Sequence, residues 1–379
     1  MVSKALVVGA YQHKLEEIAR QGDVEVVAVV PPSWRDRSYE TQLERTEGEG
    51  YELIVSPLVF NGSYHAFFFP RLGRILDEQR PDILHIDEEP YNLATFLAAA
   101  GARRRGIPFL FFTWQNLVRS YPAPFRWIER FVHRSASFAI AGTDSAKRVL
   151  EAKGYTGPSA VIPQFGIDPD MYRPATNGNG AEHPFTIGFA GRLVREKGVP
   201  SLVEACAHLD RGFRLTILGG GPAEPEIRAT VERLKLQESV ALPGPMPSVD
   251  MPAWLQTLDA LVLPSLSQPS WVEQFGRILV EAMACGVPVV GSTCGELPNV
   301  IGDDGITFPE GNVSALSTAL NRLASDTKLR AALGKRGRER VLARFTNERV
   351  AAETVEVYRR IRGQSPKSRT TDPAARQVD

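Results

Sequence analysis

The chain has 379 residues, 44 basic against 44 acidic side chains, and a hydrophobic fraction of 43%. That length exceeds what one compact core usually holds, so two domains are expected. The even charge balance removes the broad basic field that a nucleic-acid-binding protein presents.

Three cysteines, Cys206, Cys285 and Cys294, form no closely spaced pair and sit in apolar stretches. This suits reduced thiols and a cytosolic compartment. The first ten residues, MVSKALVVGA, lack the apolar core and cleavage site of a signal peptide. No apolar run approaches the ~20 residues of a spanning helix.

In chain order, apolar and β-branched runs predict strands over 5–8, 24–30, 51–59, 83–86, 108–113, 137–141 and 160–163. Helical spacing predicts helices over 13–20, 71–79, 91–105, 125–133 and 145–153. Around 174–184 the pattern lapses into small, flexible residues, read as a linker. The alternation restarts at 185–189, with further strands over 215–218, 240–242, 260–263 and 287–290. A last helix spans 347–362, and a polar tail follows. Strands alternating with helices predict mostly parallel sheets covered on both faces. The expected organisation is a first domain over 1–174, a linker over 175–184, a second domain over 185–346, a helix over 347–362 crossing back to the first domain, and a disordered tail over 363–379. In such sheets ligands bind beyond the carboxyl ends of the strands.

Three places carry polar chemistry. After the strand ending at Ala190-Gly191, a loop brings Arg192 and Lys197 to the start of a helix at Gly198. Two cations beside a helix N-terminus make an anion site, although solvated loop cations are the alternative. Leu218-Gly219-Gly220-Gly221-Pro222 lets backbone approach a ligand, or is a plain tight turn. The stretch VEQFGRILVEAMACGVPVV sets Glu273 and Glu281 eight positions apart around Phe275-Gly276, at the entrance of a helix and before a buried strand. Carboxylates flanking a small, apolar helix face contradict core logic, as functional sites do.

Taken together and in order, GRLVREKG, LGGGP, the two glutamates and STCGELPNVIGDDGITF resemble the retaining glycosyltransferases of family 4, which have the GT-B fold of two doubly wound Rossmann-like lobes facing a central cleft. The likeness runs along the whole second lobe. It extends more thinly over the first, through DILHIDEEP, IAGTDSAKRVL and VIPQFGIDPDMYRP. The resemblance implies a hexosyltransferase with a nucleotide-diphosphate sugar, a UDP- or GDP-sugar, as co-substrate. It implies no other cofactor and no metal. The acceptor would be a hydroxyl on a sugar, a small molecule or a lipid-linked group.

By the same resemblance, Arg192 and Lys197 would bind the diphosphate and neutralise the leaving group, and Gly191 and Gly220 would belong to the donor site. Glu273 would contact the transferred sugar, with backbone amides at Phe275 and Gly276 nearby. Arg277, Ile278 and Glu281 would complete the donor site, Glu281 on the ribose. Met246 and Pro264 would flank the base. Gln274 stands where many relatives have Pro.

Many relatives carry a His after the strand over 108–113. Here the residues are Trp114, Gln115 and Asn116, of which the amides can bond a sugar hydroxyl and the indole can stack on its ring. His85 is the nearest alternative, though a lone His at a strand end is more often structural. Many relatives have a Gly-Gly pair after the first strand. In this chain Gly9 is followed by Ala10 and Tyr11, which would narrow the acceptor side. Asp87-Glu88-Glu89 reads as an acidic loop face beside that cleft. The basic run 103–105 and the aromatic helix over 125–133 fit either a core-packed helix or peripheral association with the inner face of the plasma membrane.

Two competitors remain. A non-catalytic nucleotide-sugar-binding protein would keep the donor site without transfer. A Rossmann-type oxidoreductase requires G-x-G-x-x-G after a first strand, which Gly9-Ala10-Tyr11 does not supply.

Overall fold

A computed structural model describes residues 1–36, 40–45, 48–175 and 183–364. The expected linker and tail fall largely outside these. At the centre of the first sheet, Val2 bridges Val29 on one side and Ile86 on the other, both in parallel. The strand expected over 5–8 does not form. Ala5–Val7 and Gly9–Tyr11 are two successive 3-10 turns. Polar anchors explain the departure. Lys4 bonds Glu88 through both its amide and its ammonium, drawing the backbone off the sheet after Ser3. Gln12 Nε2 then donates to the carbonyls of Leu6 and Glu44. Leu6 and Val7 are buried all the same, so a turn satisfies the apolar run as well as a strand would.

The first lobe continues with α1 (His13–Ala19), β1 (Val26–Val30), β2 (Ser33–Arg35), β3 (Glu40–Gln42), β4 (Tyr51–Val55), α2 (Leu72–Gln79), β5 (Leu84–Ile86), α3 (Leu93–Arg104), β6 (Phe109–Thr113), α4 (Phe125–Ser135), β7 (Phe138–Ala141), α5 (Asp144–Ala152) and β8 (Ser159–Val161). Its strands lie in the order β4-β1, then Val2, then β5-β6-β7-β8, all parallel. Every residue of β6 is buried, as in a strand with helices over both faces. In α3, Ala94, Ala98, Ala99 and Ala102 are buried, which lets the helix lie close to the sheet. The short antiparallel pair β2-β3 stands apart from that sheet.

The second lobe comprises β9 (Phe185–Ala190), α6 (Val199–Cys206), β10 (Phe213–Leu218), α7 (Glu224–Arg233), β11 (Val240–Gly244), α8 (Met251–Leu255), β12 (Ala260–Leu263), α9 (Arg277–Ala284), β13 (Val289–Ser292), α10 (Leu297–Ile301), β14 (Ile306–Phe308), α11 (Val313–Ser325) and α12 (Thr327–Arg344). Its sheet runs β11-β10-β9-β12-β13-β14, entirely parallel. Numbered along the lobe, this is the doubly wound order 3-2-1-4-5-6. The order reverses between β9 and β12, and the crevice beyond their carboxyl ends is where such sheets bind ligands.

The last helix, α13 (Asn347–Gln364), joins the first lobe's core. Ala351 and Val355 pack with Leu6, Leu15 and Ile18, and Val350, Val357 and Ile361 pack with Leu110, Phe112 and Phe138. The end of the chain thereby ties the second lobe back to the first.

Candidate active site

The switch point of the second lobe is built by close backbone contact. Gly198 starts α6 at φ +65°, and a Cβ there would lie 2.1 Å from the Pro264 carbonyl oxygen. A glycine therefore lets the loop after β9 press onto the loop after β12. That contact carries Lys197 to Glu273: Nζ is 2.6 Å from Oε2. Ser265 Oγ donates to the same oxygen at 2.8 Å. Lys197 Nζ also lies 5.2 Å from the centre of the Trp271 ring. Glu273 is 7% exposed, so its charge is held by a cation and a hydroxyl rather than by bulk water. Arg192, on the same loop, is exposed, and its guanidinium makes no hydrogen bond or ion pair among the described residues. Gly191 adjoins this loop, and Met246 and Pro264 follow β11 and β12 on the same edge of the sheet.

Phe275 and Gly276 lead into α9, with Gly276 as its N-cap. Glu281 belongs to a second cluster. It is 8% exposed and accepts from Arg277 Nε at 2.8 Å and from Tyr172. Burial pushes its carboxyl up from the ordinary range, and Arg277 and Tyr172 oppose that shift. The Arg277 guanidinium lies 4.9 Å from the Tyr11 ring, which itself stacks on Phe165 at 4.0 Å. Ile278 is half-buried at the edge of the second lobe's core. The two glutamates thus stand in separate hydrogen-bonded groups.

The first lobe meets this wall through the segment after β6. Gln274 Nε2 donates to the Trp114 carbonyl at 3.1 Å, and the Trp114 and Phe275 rings are 5.8 Å apart. Asn116 Nδ2 donates to the Glu273 carbonyl at 3.2 Å. Arg119 bonds the Ser270 carbonyl. Trp114 Nε1 donates to Gln164 Oε1 at 2.8 Å. Trp114 and Asn116 therefore reach the second-lobe wall. Gln115 turns inward, donating to Tyr121 and accepting from Lys153 at 3.0 Å.

His85 lies elsewhere. It is 2% exposed under α13, with Nδ1 2.7 Å from Tyr358 Oη. Burial, with Lys14 adding to it, keeps this imidazole neutral well below its ordinary range. Gly9 is buried, its amide donating to Glu44 at 2.8 Å. The acidic face expected at Asp87-Glu88-Glu89 is instead built into the lobe. Asp87 accepts from Ser3 and Gln164, Glu88 pairs with Lys4, and Glu89 accepts from Thr113 and the Trp114 amide. Each carboxylate has an internal donor, which is what a solvated face does not require. Among the described residues no group of three His, Cys, Asp or Glu is placed to hold a metal ion.

Sequence reasoning gave no role to Trp271, Tyr172, Gln164 or the environment of Glu89, and it set Ser265 beside the base rather than on Glu273. Gln164, Tyr172 and Glu89 lie in segments of the resemblance, but their partners are set by tertiary contact. The one available signal was the run of three acids before Pro90.

Residues 176–340 match a family model of glycosyl transferases group 1, and residues 8–164 match one of a glycosyl transferase 4-like domain. Together these cover most of the chain. The chain is 28% identical to an alpha-maltose-1-phosphate synthase of Mycolicibacterium smegmatis over 62% of its own length and 66% of that protein's. It is 30% identical to a GDP-mannose-dependent alpha-(1-6)-phosphatidylinositol monomannoside mannosyltransferase of the same species, over 48% and 52% of the two chains. It spans between about half and two thirds of these relatives. In three dimensions it resembles Anabaena HepE in complex with UDP, with a TM-score of 0.72 and 18% identity over 95% of this chain and 98% of that one. No described helix is long and apolar enough to cross a membrane. Two lobes of doubly wound sheet, joined across a switch-point site and matched lobe by lobe, place the chain among the group 1 glycosyltransferases of GT-B fold.

Proposed function

We propose that the protein transfers a hexose from a nucleotide-diphosphate sugar to a hydroxyl acceptor with retention of configuration, by same-face displacement and without a metal. The observation that carries this reading is the Lys197–Glu273–Ser265 cluster at the switch point, beside the unpartnered Arg192. A departing diphosphate needs positive charge fixed where its own negative charge develops, and Lys197 and Arg192 supply it. An arriving diphosphate competes with Glu273 for Lys197. Glu273 is then free to accept from hydroxyls of the transferred sugar. Glu281 is assigned the ribose hydroxyls, and Phe275 and Gly276 the reacting end of the sugar.

HepE is solved with UDP and with UDP-glucose, and the mannosyltransferase relative is named as GDP-mannose-dependent, so both donor classes are tested. The mannosyltransferase's name also specifies a phosphatidylinositol acceptor, which supports including lipid-linked acceptors. On α4, Ile128 and Val132 face the core while Arg126, Trp127, Arg130 and Arg134 face outward, Trp127 at 62% exposure. Peripheral membrane association is assigned to that face.

Thermal shift against UDP-, GDP- and ADP-sugars identifies the donor, because a ligand of the folded form raises its melting temperature by mass action. Transfer is then measured in Glu273→Ala and Glu281→Ala. Unchanged turnover in both sinks the assignment. Donor binding with neither hydrolysis nor transfer across a broad acceptor panel favours a non-catalytic nucleotide-sugar-binding protein.

A further inference from the structure

Three consecutive acids close the loop after β5, and the structure treats them differently. Asp87 is bonded to Ser3 and Gln164. Glu88 has Lys4 as a salt-bridge partner. Glu89 has no cation within salt-bridge distance among the described residues. Its carboxylate accepts from two neutral donors, Thr113 Oγ1 at 2.7 Å on Oε2 and the Trp114 amide at 2.8 Å on Oε1. Unlike Asp87 and Glu88, the residue retains exposed surface.

Its position is fixed from both sides. Its carbonyl accepts from Thr95 Oγ1 at 2.7 Å and from the Asn92 amide at 3.1 Å, which locks the loop onto the start of α3. Thr113 is the last residue of β6, so the carboxylate sits at the carboxyl end of that strand. The next residue, Trp114, takes the interlobe bond from Gln274 and faces Phe275. Asn116 binds the Glu273 carbonyl. Glu89 is therefore one residue removed from the contact between the lobes, opposite the wall that holds Lys197 and Glu273. The tilted pair Tyr91 and Tyr121, with ring centres 4.2 Å apart, flanks it.

We propose that Glu89 is the first-lobe catalytic carboxylate that binds the attacking acceptor hydroxyl and takes its proton; this rests on the transferase reading above. In the step, the hydroxyl proton passes to a Glu89 carboxylate oxygen. The hydroxyl oxygen forms the bond to the anomeric carbon. The bond from that carbon to the diphosphate oxygen breaks, and its electron pair leaves on the diphosphate beside Lys197 and Arg192. The proton on Glu89 is afterwards lost to solvent.

The chemistry of the pocket agrees with the geometry. Burial lifts the Glu89 carboxyl to about 7, against the opposing bonds from Thr113 and Trp114. Of the charged groups around it, Lys4 lowers this value and Glu88 raises it, while Arg119 and the Tyr91 hydroxyl stand on the Tyr91–Tyr121 side. A base matched to neutral pH is the efficient one for this work. Activity requires the ionised form, so the rate should fall as pH drops through about 7.

The test uses the full chain and the nucleotide sugar that gives the largest thermal shift. Nucleotide release is followed as a function of pH, with water or a sugar acceptor as the second substrate. Glu89→Gln should lose about a hundredfold or more in rate and lose the acid limb near pH 7, with the donor-induced shift in melting temperature unchanged. Thr113→Val keeps the side-chain shape while removing the bond to the ionised form, together with the bond that Thr113 Oγ1 accepts from the Gln115 amide at 3.1 Å. It should keep the donor shift and move the acid limb to higher pH. If Glu89→Gln keeps both its rate within threefold and its acid limb, or if the limb in Thr113→Val stays in place, the proposal is overturned. If the wild-type protein binds no nucleotide sugar at all, the transferase reading fails instead, and the two failures are distinct.

Discussion

The two walls of the cleft handle charge in opposite ways. On the second-lobe wall, each buried carboxylate has a cation: Glu273 has Lys197 and Glu281 has Arg277. On the first-lobe wall, Glu89 is held by a hydroxyl and an amide, and the Trp114 indole by Gln164. A cation beside a buried carboxylate supports its charge and can turn to a ligand anion instead. A carboxyl surrounded by neutral donors has its pKa raised by burial and holds its proton nearer to neutrality. The paired wall suits a permanently charged diphosphate, and the neutral wall suits a group that gains and loses a proton.

The largest way to break this comparison is to remove the cation. Lys197→Ala leaves Glu273 with Ser265 alone and takes away a charge that the leaving diphosphate would use. Transfer should fall by about 10²–10³-fold, ~3–4 kcal/mol on the barrier. Steady-state kinetics at saturating donor checks it. A loss below about threefold would show that the pair serves the fold alone.

The neutral wall is tested through stability against pH. The Glu89 carboxyl is raised from 4.5 to about 7, so the folded form binds more protons than the unfolded form between those values. The wild type should therefore lose stability as pH rises through that window, and the loss should be complete above it. Glu89→Gln has nothing to titrate. It should gain on the wild type by on the order of 1–3 kcal/mol between pH 4.5 and pH 8, read from urea unfolding at the two ends. An equal difference at both ends would mean that the carboxyl titrates normally. A site residue that costs stability while a Gln would not is what function predicts and packing does not.

The joint between the lobes lies outside both walls and should behave as structure alone. Tyr358→Phe removes the partner of the buried His85 Nδ1 and should cost about 1–2 kcal/mol in thermal or denaturant unfolding. The nucleotide-sugar response should stay as in the wild type. A lost donor response with normal stability would return His85 to the cleft.

Much of the second lobe was legible because its chemistry is local. The Arg192–Lys197 loop precedes a helix, and Glu273 precedes another at a short, recognisable spacing. The first lobe was less legible because its site is assembled from tertiary contacts. Glu89, Thr113 and Gln164 come from three separate loops or strands. The apolar run at 5–8 has the pattern of a strand, yet the bonds from Lys4 to Glu88 and from Gln12 to Leu6 turn it into 3-10 geometry. His85 could not be told from a catalytic residue until α13, 273 positions away, brought Tyr358 onto it. Periodicity records which side of an element is buried, but not which distant group will cover it.

The smallest expected effect on the fold is also a sharp test of where the proposed diphosphate would lie. Gly219 has φ +134°, and a Cβ there would stand 1.8 Å from the Gly191 carbonyl oxygen, so the turn after β10 requires that glycine. Gly220, its neighbour, has nothing within 4 Å of the same construction. The protein's own packing therefore gives no reason for a glycine at 220; the proposed donor, approaching the backbone, would give one. Gly220→Ala should leave stability within about 0.5 kcal/mol of wild type. The dissociation constant for the preferred nucleotide sugar should rise about tenfold, ~1.4 kcal/mol, while the response to a bare nucleoside should change little. Equal weakening of both would move the contact from the diphosphate to the base, and the charge-paired wall would then end at Lys197.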